Sequence, residues 1–401
     1  MAHIALAWEL GGGFGHLSRL KTLAGELLAA GHQITLIARH LEPAREVFSP
    51  LFQQFGRVGY VQAPFYNGHL PNSLEQTPAY VHVLFNVGYG DSEVLGRLVS
   101  NWHRLLCELK PDMLIADHSP TALMVSRDMA IPRINFGDGF TCPLPTYPLP
   151  TLHNALPRSV IENDEAHVLS DCNEALEAQG ISPMKELADI YRVNETFLMT
   201  LRELDHLGSR PQVNYGGVLF PESVQFEHQK PVWPPVYGPK IFVYLKPREY
   251  LAAQLEVLEQ TGLPVLACIP DVPFALVEKY ANRPYVKLLH KPLNTGLALR
   301  EAQLVVSHGG HQLTAECLMA GTPQIHLPLH LEQQLLAHRC RKTNCSRFAH
   351  PSELGLVLPQ VLENLQNISH RAQQRAFQIS RHQQKHSLGR CIALINYWLT
   401  G

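Results

Sequence analysis

Short apolar runs recur through the first third of the chain: Ile4–Trp8, Ile34–Ile37, Val58–Val61, Met113–Ala116 and Ile134–Phe136. Alternating with helical segments, they are the signature of a parallel sheet with crossover helices. Between the first two runs, Leu17, Leu20, Leu23, Ala24, Leu27 and Leu28 fall at helical spacing, and Gly31 suits the helix C-cap. A first β-α-β unit is therefore expected from Ile4 to Ile37. The same alternation restarts with Ile241–Leu245 and continues through Val265–Ile269, Val286–Leu289, Leu304–Val306 and Gln324–Leu327. A second parallel α/β domain is the economical explanation.

Pro211, Pro221, Pro231, Pro234, Pro235 and Pro239 separate the two patterns, a density unsuited to a helix or a central strand. The expected organisation is an N-terminal domain over 1–210, a linker over 211–239, a C-terminal domain over 240–385 and a terminal helix over 386–401. That last segment, with Cys391–Trp398, is apolar enough to need a docking surface, expected on the N-terminal domain. Residues Pro64–Gly90 and Gly137–Pro157 are rich in Pro, Gly and aromatics and read as irregular. Phe14, Phe65, Tyr66, Phe85, Tyr89 and Phe140 become candidate walls of an apolar or aromatic pocket, with Tyr147 nearby; core packing explains several equally well.

With 401 residues, 45% of them hydrophobic, the chain can bury two cores without metals or disulfides. A formal charge of −2 gives no reason to expect nucleic acid or an acidic membrane as partner. No basic leader precedes the first apolar run, and no apolar stretch approaches the roughly 20 residues that span a bilayer, so a cytoplasmic location is expected. The eight cysteines form no C-x-x-C pair and read as reduced thiols. The 22 histidines include no His-Glu-x-x-His, and Pro328 spoils His326 and His330 as a helical ligand pair. Neither a metal nor a cofactor is expected.

Two glycine turns carry the chemistry. The first, Gly11-Gly12-Gly13-Phe14-Gly15-His16, joins a strand to a helix, where glycines admit a close ligand and the helix end offers N–H groups. A dinucleotide fingerprint would need Gly at position 16 and an acid after the second strand; His16 and Ala38-Arg39 stand there instead. The second turn, His308-Gly309-Gly310-His311-Gln312-Leu313-Thr314-Ala315-Glu316, again follows a strand and opens a helix, which suits an anion. His308 at its mouth is a candidate hydrogen-bond donor to phosphate.

Here the sequence resembles the nucleotide-sugar glycosyltransferases that include the plant secondary-metabolite and bacterial macrolide enzymes. The likeness lies in His308, Gly310, Glu316, Gly321, Pro323, Glu332 and Gln333, which match that family's donor signature in register. The resemblance implies a GT-B architecture, two Rossmann-like parallel-sheet domains facing across a cleft. It implies that His308, Gly309 and Gly310 hold a diphosphate, Glu316 the ribose hydroxyls, and Glu332 with Gln333 the sugar. Gly15-His16 matches the segment whose His serves as general base, and Asp117 stands where the family has an Asp behind that His. The chain departs from the family at Leu313, where relatives carry a phosphate-binding Ser or Thr, leaving Gln312 or Thr314 to compensate. Lys246-Pro247 and His290 also depart from it, which leaves the base open between uracil and others.

The resemblance implies an inverting, metal-independent transfer from a nucleoside diphosphate sugar, UDP-linked by expectation, to a small-molecule hydroxyl. Two other readings stay open. Gly13–Arg19 is similar to the opening loop of the hydrolases of pseudaminic acid synthesis, which with nucleotide-sugar epimerases share the architecture. A non-catalytic sugar-nucleotide-binding partner is the third.

Overall fold

The structure, a computed structural model, describes residues 1–12, 14–75, 77–153, 156–211, 213–219, 230–291, 293–383 and 387–400. Side chains are described for all of these apart from 14, 380–383 and 387. The chain divides into an N-terminal unit, Met1–Thr200 with Ser209–Phe220 and His386–Gly401, and a C-terminal unit, Leu201–Gly208 with Pro221–Lys385. Residues 201–208, read from sequence as part of the N-terminal domain, thus group with the C-terminal unit.

In the N-terminal unit seven parallel strands run β3-β2-β1-β4-β5-β6-β7. They are β1 (His3–Trp8), β2 (Gln33–Ala38), β3 (Val58–Gln62), β4 (Met113–Asp117), β5 (Arg133–Gly137), β6 (Glu195–Leu198) and β7 (Asn214–Tyr215). The helix Phe14–Ala29 returns the chain from β1 to β2; its Leu17, Leu20, Leu23, Ala24, Leu27 and Leu28 are each at most 1% exposed. Burial of each such leucine contributes roughly 1.5–3 kcal/mol, which is why the apolar stripe and not helix propensity holds this element. Cys391 and Ile395 of the helix Ser387–Thr400 join the same cluster, beside Phe48 and Leu51.

The C-terminal unit repeats the plan with six parallel strands ordered β10-β9-β8-β11-β12-β13. These are β8 (Ile241–Tyr244), β9 (Val265–Cys268), β10 (Val286–Leu289), β11 (Leu304–Ser307), β12 (Gln324–His326) and β13 (Ser346–Phe348). In each sheet the winding reverses between the first strand and the fourth, β1 beside β4 and β8 beside β11. Loops leaving the carboxyl ends of such a pair diverge to opposite faces and open a crevice, where α/β sheets gather ligands.

Three strands escaped the pattern. β7 is only two residues long and lies inside the stretch read as a linker, while β6 and β13 are short and partly polar. The linker's residues 212 and 220–229, Pro221 among them, lie outside the described residues. Pro64–Gly90 is not all loop either: Tyr80–Leu84 is a buried helical turn, followed by an irregular turn, Phe85–Tyr89, in which Gly88 has φ of 118°. Among the described residues no helix is long and apolar enough to cross a membrane.

Candidate active site

At the carboxyl end of the N-terminal sheet, Trp8 and Asp117 are paired across β1 and β4. His16 lies in the first turn of the helix that follows β1, and its Nδ1 stands 2.9 Å from Asp117 Oδ1. The imidazole stacks on Trp8 (centroids 5.5 Å apart, planes at 20°) and faces His118 on its other side at 6.2 Å. The His16 side chain is 13% exposed and Asp117 fully buried. A Cβ on Gly11, whose φ is +82°, would stand 2.8 Å from His16 Nε2, so that nitrogen occupies space which only glycine leaves open.

Arg19, one helical turn after His16, supports this pair. Its Nε donates to Asp117 Oδ2 at 3.0 Å, its Nη2 lies 2.9 Å from both carboxylate oxygens, and its Nη1 is 3.4 Å from Asp138 Oδ2. Burial alone would push the Asp117 pKa up; the Arg19 guanidinium first, then His16, outweigh it and hold the carboxyl below its usual range. Burial, and after it the charge of His16, push His118 down to about 4, so that ring is neutral and meets the Tyr80 hydroxyl at 3.3 Å. Beneath the site, Glu9 accepts hydrogen bonds from the hydroxyl and amide of Thr121, at 2.5 and 3.0 Å, and from Ser119 Oγ at 3.3 Å.

Of the aromatic candidates, two connect to this centre through ring contacts. Phe140 packs edge-on against His118 at 6.0 Å, and Phe65 meets His40, which in turn meets Trp8. Arg39 lies over the Phe65 ring at 4.2 Å. Tyr66 and Phe85, half-buried, pack onto Gly68 and Gly90 of their own segment. Tyr89 corrects the sequence reading: it is fully buried and its hydroxyl bonds Thr121 Oγ1 at 2.9 Å, so it is core and not a pocket wall. The Phe14 side chain lies outside the described residues.

The second turn follows β11. His308 Nδ1–H donates to the Leu327 carbonyl at 3.1 Å, and its Nε2 accepts the Lys246 backbone N–H at 2.5 Å. Burial, then the Lys246 charge, push its pKa down to about 4 against the Leu327 bond, so the ring is neutral. Both nitrogens are engaged, and His308 has no proton left for a phosphate; it ties the loop after β8 to that after β11 instead. The helix His311–Ala320 begins at Gly310 and aims its positive end at this turn. Glu316, on the same helix, receives Thr295 Oγ1 at 2.6 Å and Gln312 Nε2 at 2.9 Å, and burial raises its pKa. Thr314 is fully buried, which removes it as a surface phosphate ligand.

Glu332 opens the helix Leu331–Arg341 and takes His206 Nε2 at 3.1 Å on one oxygen, with His330 Nδ1 3.7 Å from the other. The Gln333 side-chain Oε1 accepts the Leu329 N–H at 2.8 Å. Lys246 and His290 are exposed, each just past a strand end. Among the described residues no group of three or more His, Cys, Asp or Glu is arranged to hold a metal ion.

Residues 271–388, which contain this second turn, match the profile of the glycosyltransferase family 28 C-terminal domain. The protein is a glycosyltransferase of the GT-B kind. No curated protein matches the glycosyltransferase in sequence. Its fold is similar to that of CalG4, the calicheamicin glycosyltransferase, at 17% identity and a TM-score of 0.68 over 100% of this chain and 98% of that one. VinC, solved in complex with DTDP, is 13% identical with a TM-score of 0.66 over 99% of each chain. SnogD from Streptomyces nogalater is 15% identical with a TM-score of 0.61 over 98% of each.

Arg19, Asp138, His118, His206 and Thr295 were not singled out from sequence. Arg19 carried a weak signal: a charged residue one helical turn after His16, on the same face of the helix. Asp138 stands one residue past the end of β5, beside β4, whose last residue is Asp117. His206 carried none, since the segment that brings it to Glu332 belongs by sequence to the other domain.

Proposed function

We propose that this glycosyltransferase moves a sugar, with inversion, from a nucleoside diphosphate sugar to the hydroxyl of a small molecule, and that His16 is its general base. One observation carries the reading: the Nδ1 of His16 is bonded to a buried, ionised Asp117, which leaves Nε2, at the sheet's crevice, as the basic atom. An alcohol is too weakly acidic to attack an anomeric carbon unaided at neutral pH, and an imidazole oriented by a carboxylate is the natural remedy. Phe65 and Phe140 beside the Trp8–His16–His118 stack support an apolar or aromatic acceptor.

On the donor side, the first turn of the helix after Gly310 and the Lys246 side chain would meet the diphosphate charge, so that transfer needs no metal. Glu316, already ordered by Thr295 and Gln312, would take the ribose hydroxyls, because a carboxylate retains acceptor sites beyond those two bonds. Glu332 and Gln333 would read the sugar. The DTDP bound to VinC and the thymidine diphosphate bound to SsfS6 support a pyrimidine nucleotide, UDP or dTDP. The eight free cysteines suit a cytoplasmic enzyme.

The test is single-turnover transfer by His16→Ala beside calorimetric donor binding. The rate should fall roughly 10²–10⁴-fold with donor affinity little changed. Transfer at the wild-type rate would put the base elsewhere, and donor consumption at full rate without acceptor would make the enzyme a hydrolase. A thermal-shift series with UDP, dTDP, GDP, ADP and CMP tests the base, since a ligand bound only by the native state raises the melting temperature.

A further inference from the structure

Two carboxylates, Asp117 and Asp138, stand within reach of one guanidinium, Arg19, and all three are buried: Asp117 is fully covered, Arg19 is 8% exposed and Asp138 7%. We propose that Arg19 is the positioning residue of the His16–Asp117 pair, clamping the carboxylate so that the imidazole keeps its proton on Nδ1 and its lone pair on Nε2. This rests on the reading of His16 as base.

The clamp works through geometry first. Asp117 Oδ2 receives both Arg19 Nε and Nη2, while Oδ1 is shared between Arg19 Nη2 and His16 Nδ1. A fork held at two points fixes the plane of the carboxylate, which an ion pair to a single atom would not. The carboxylate so held is ionised and can only accept, which forces the His16 proton onto Nδ1. Asp138 is fixed in turn, its Oδ1 taking the N–H groups of Phe140 and Thr141 at 2.9 and 3.1 Å.

Charge balance supplies the second part. Asp117 and Asp138 both face the Arg19 charge, and a second buried guanidinium, Arg210, which donates to the Gly139 and Cys142 carbonyls, stands near Asp138. Asp117, the carboxylate that His16 touches, is the charge that would stabilise the imidazolium formed during transfer. Without Arg19, the Asp117 charge would be left without its guanidinium and would favour the charged form of His16, in which Nε2 has no lone pair. Of the groups against the ring itself, His118, just past the end of β4, is neutral and bonded to Tyr80, and Trp8 carries no charge; the Glu9 carboxyl beneath the site is held by Ser119 and Thr121.

The experiment needs no substrate. Long-range ¹H–¹⁵N spectra of histidine-labelled protein report the tautomer and titration of each imidazole, and the signal absent from His16→Ala identifies His16. In wild type the neutral form of His16 should carry its proton on Nδ1. Arg19 Nη2 lies 3.4 Å from His16 Nδ1. Even at the dielectric constant of bulk water, removing a unit charge at that range raises the titration midpoint by about one pH unit. Arg19→Met should therefore move the midpoint up by at least that much, and Arg19→Lys should return it most of the way. If Arg19→Met does not fold, as judged by its melting curve, Arg19→Gln takes its place. A midpoint that stays put or falls overturns the proposal. Failure of the base reading is seen separately, as undiminished transfer by His16→Ala, and leaves this titration unaffected.

Discussion

Replacing Glu9 with Gln should stabilise the protein in a way that depends on pH. Burial pushes the Glu9 carboxyl from 4.5 up to about 7, against the opposing pull of Thr121, Ser119 and Arg39. Below pH 4.5 the group is protonated folded or unfolded, and its burial costs nothing in ionisation. Between 4.5 and 7 the unfolded chain releases the proton while the folded one retains it, so stability falls as pH rises, by up to about 1.4 kcal/mol per pH unit. Above 7 the whole difference has been lost, on the order of 3 kcal/mol for the shift given. Glutamine never ionises, so Glu9→Gln escapes this loss. At about 2–4 °C per kcal/mol for a domain of this size, the variant should melt roughly 6–12 °C above wild type at pH 8. The gap should close toward pH 4.5. Scanning calorimetry of both proteins from pH 4.5 to 8 measures it. Any mismatch of the new amide with Ser119 and Thr121 shifts the variant equally at every pH, so only the slope is diagnostic. Parallel melting curves across the range would refute the argument.

Gly11→Ala combines a backbone at φ +82° with a Cβ 2.8 Å from His16 Nε2. It should cost about 1–2 kcal/mol in stability, as seen by urea denaturation, and a larger factor in transfer rate because the ring must swing away from its position. Glu332→Ala should weaken binding of the nucleotide sugar by about 1.5–3 kcal/mol while the free nucleotide binds as before in calorimetry. Equal losses for both ligands would mark the residue as structural, as would be natural for a carboxylate already tied to His206. Transfer should survive exhaustive chelation; activity that vanishes with EDTA and returns only with Mg²⁺ or Mn²⁺ would falsify the metal-free mechanism.

Where the chain announces itself, it does so through periodicity. Residues 4–8 and 241–245 are apolar throughout because both faces of a parallel sheet are covered, so the central strands and the double α/β plan are legible from sequence. β7 pairs through only two residues and leaves no period to read. The same limit holds at the candidate site. His16 and the turn at Gly309 and Gly310 stand out because glycines at a strand-to-helix junction are a local signal. Arg19, Asp138 and His206 depend on segments remote in sequence meeting in space, which spacing along one element does not report. Tyr89 misled for a related reason: a tyrosine among Pro and Gly looks like loop, while Thr121, 32 residues away, makes it core.

The closing helix has a consequence for the order in which the protein is made. A cluster that begins with Ile4 and Leu6 is completed by Cys391 and Ile395. The core around β1 and β2 is therefore not finished until residues 391–395 have been made, and until they arrive it carries an uncovered apolar seam along the helix Phe14–Ala29. A nascent chain of this kind has to wait with that seam exposed, a state prone to self-association. A nonsense change near residue 386 would act far in sequence from its own position, loosening the very helix that bears His16.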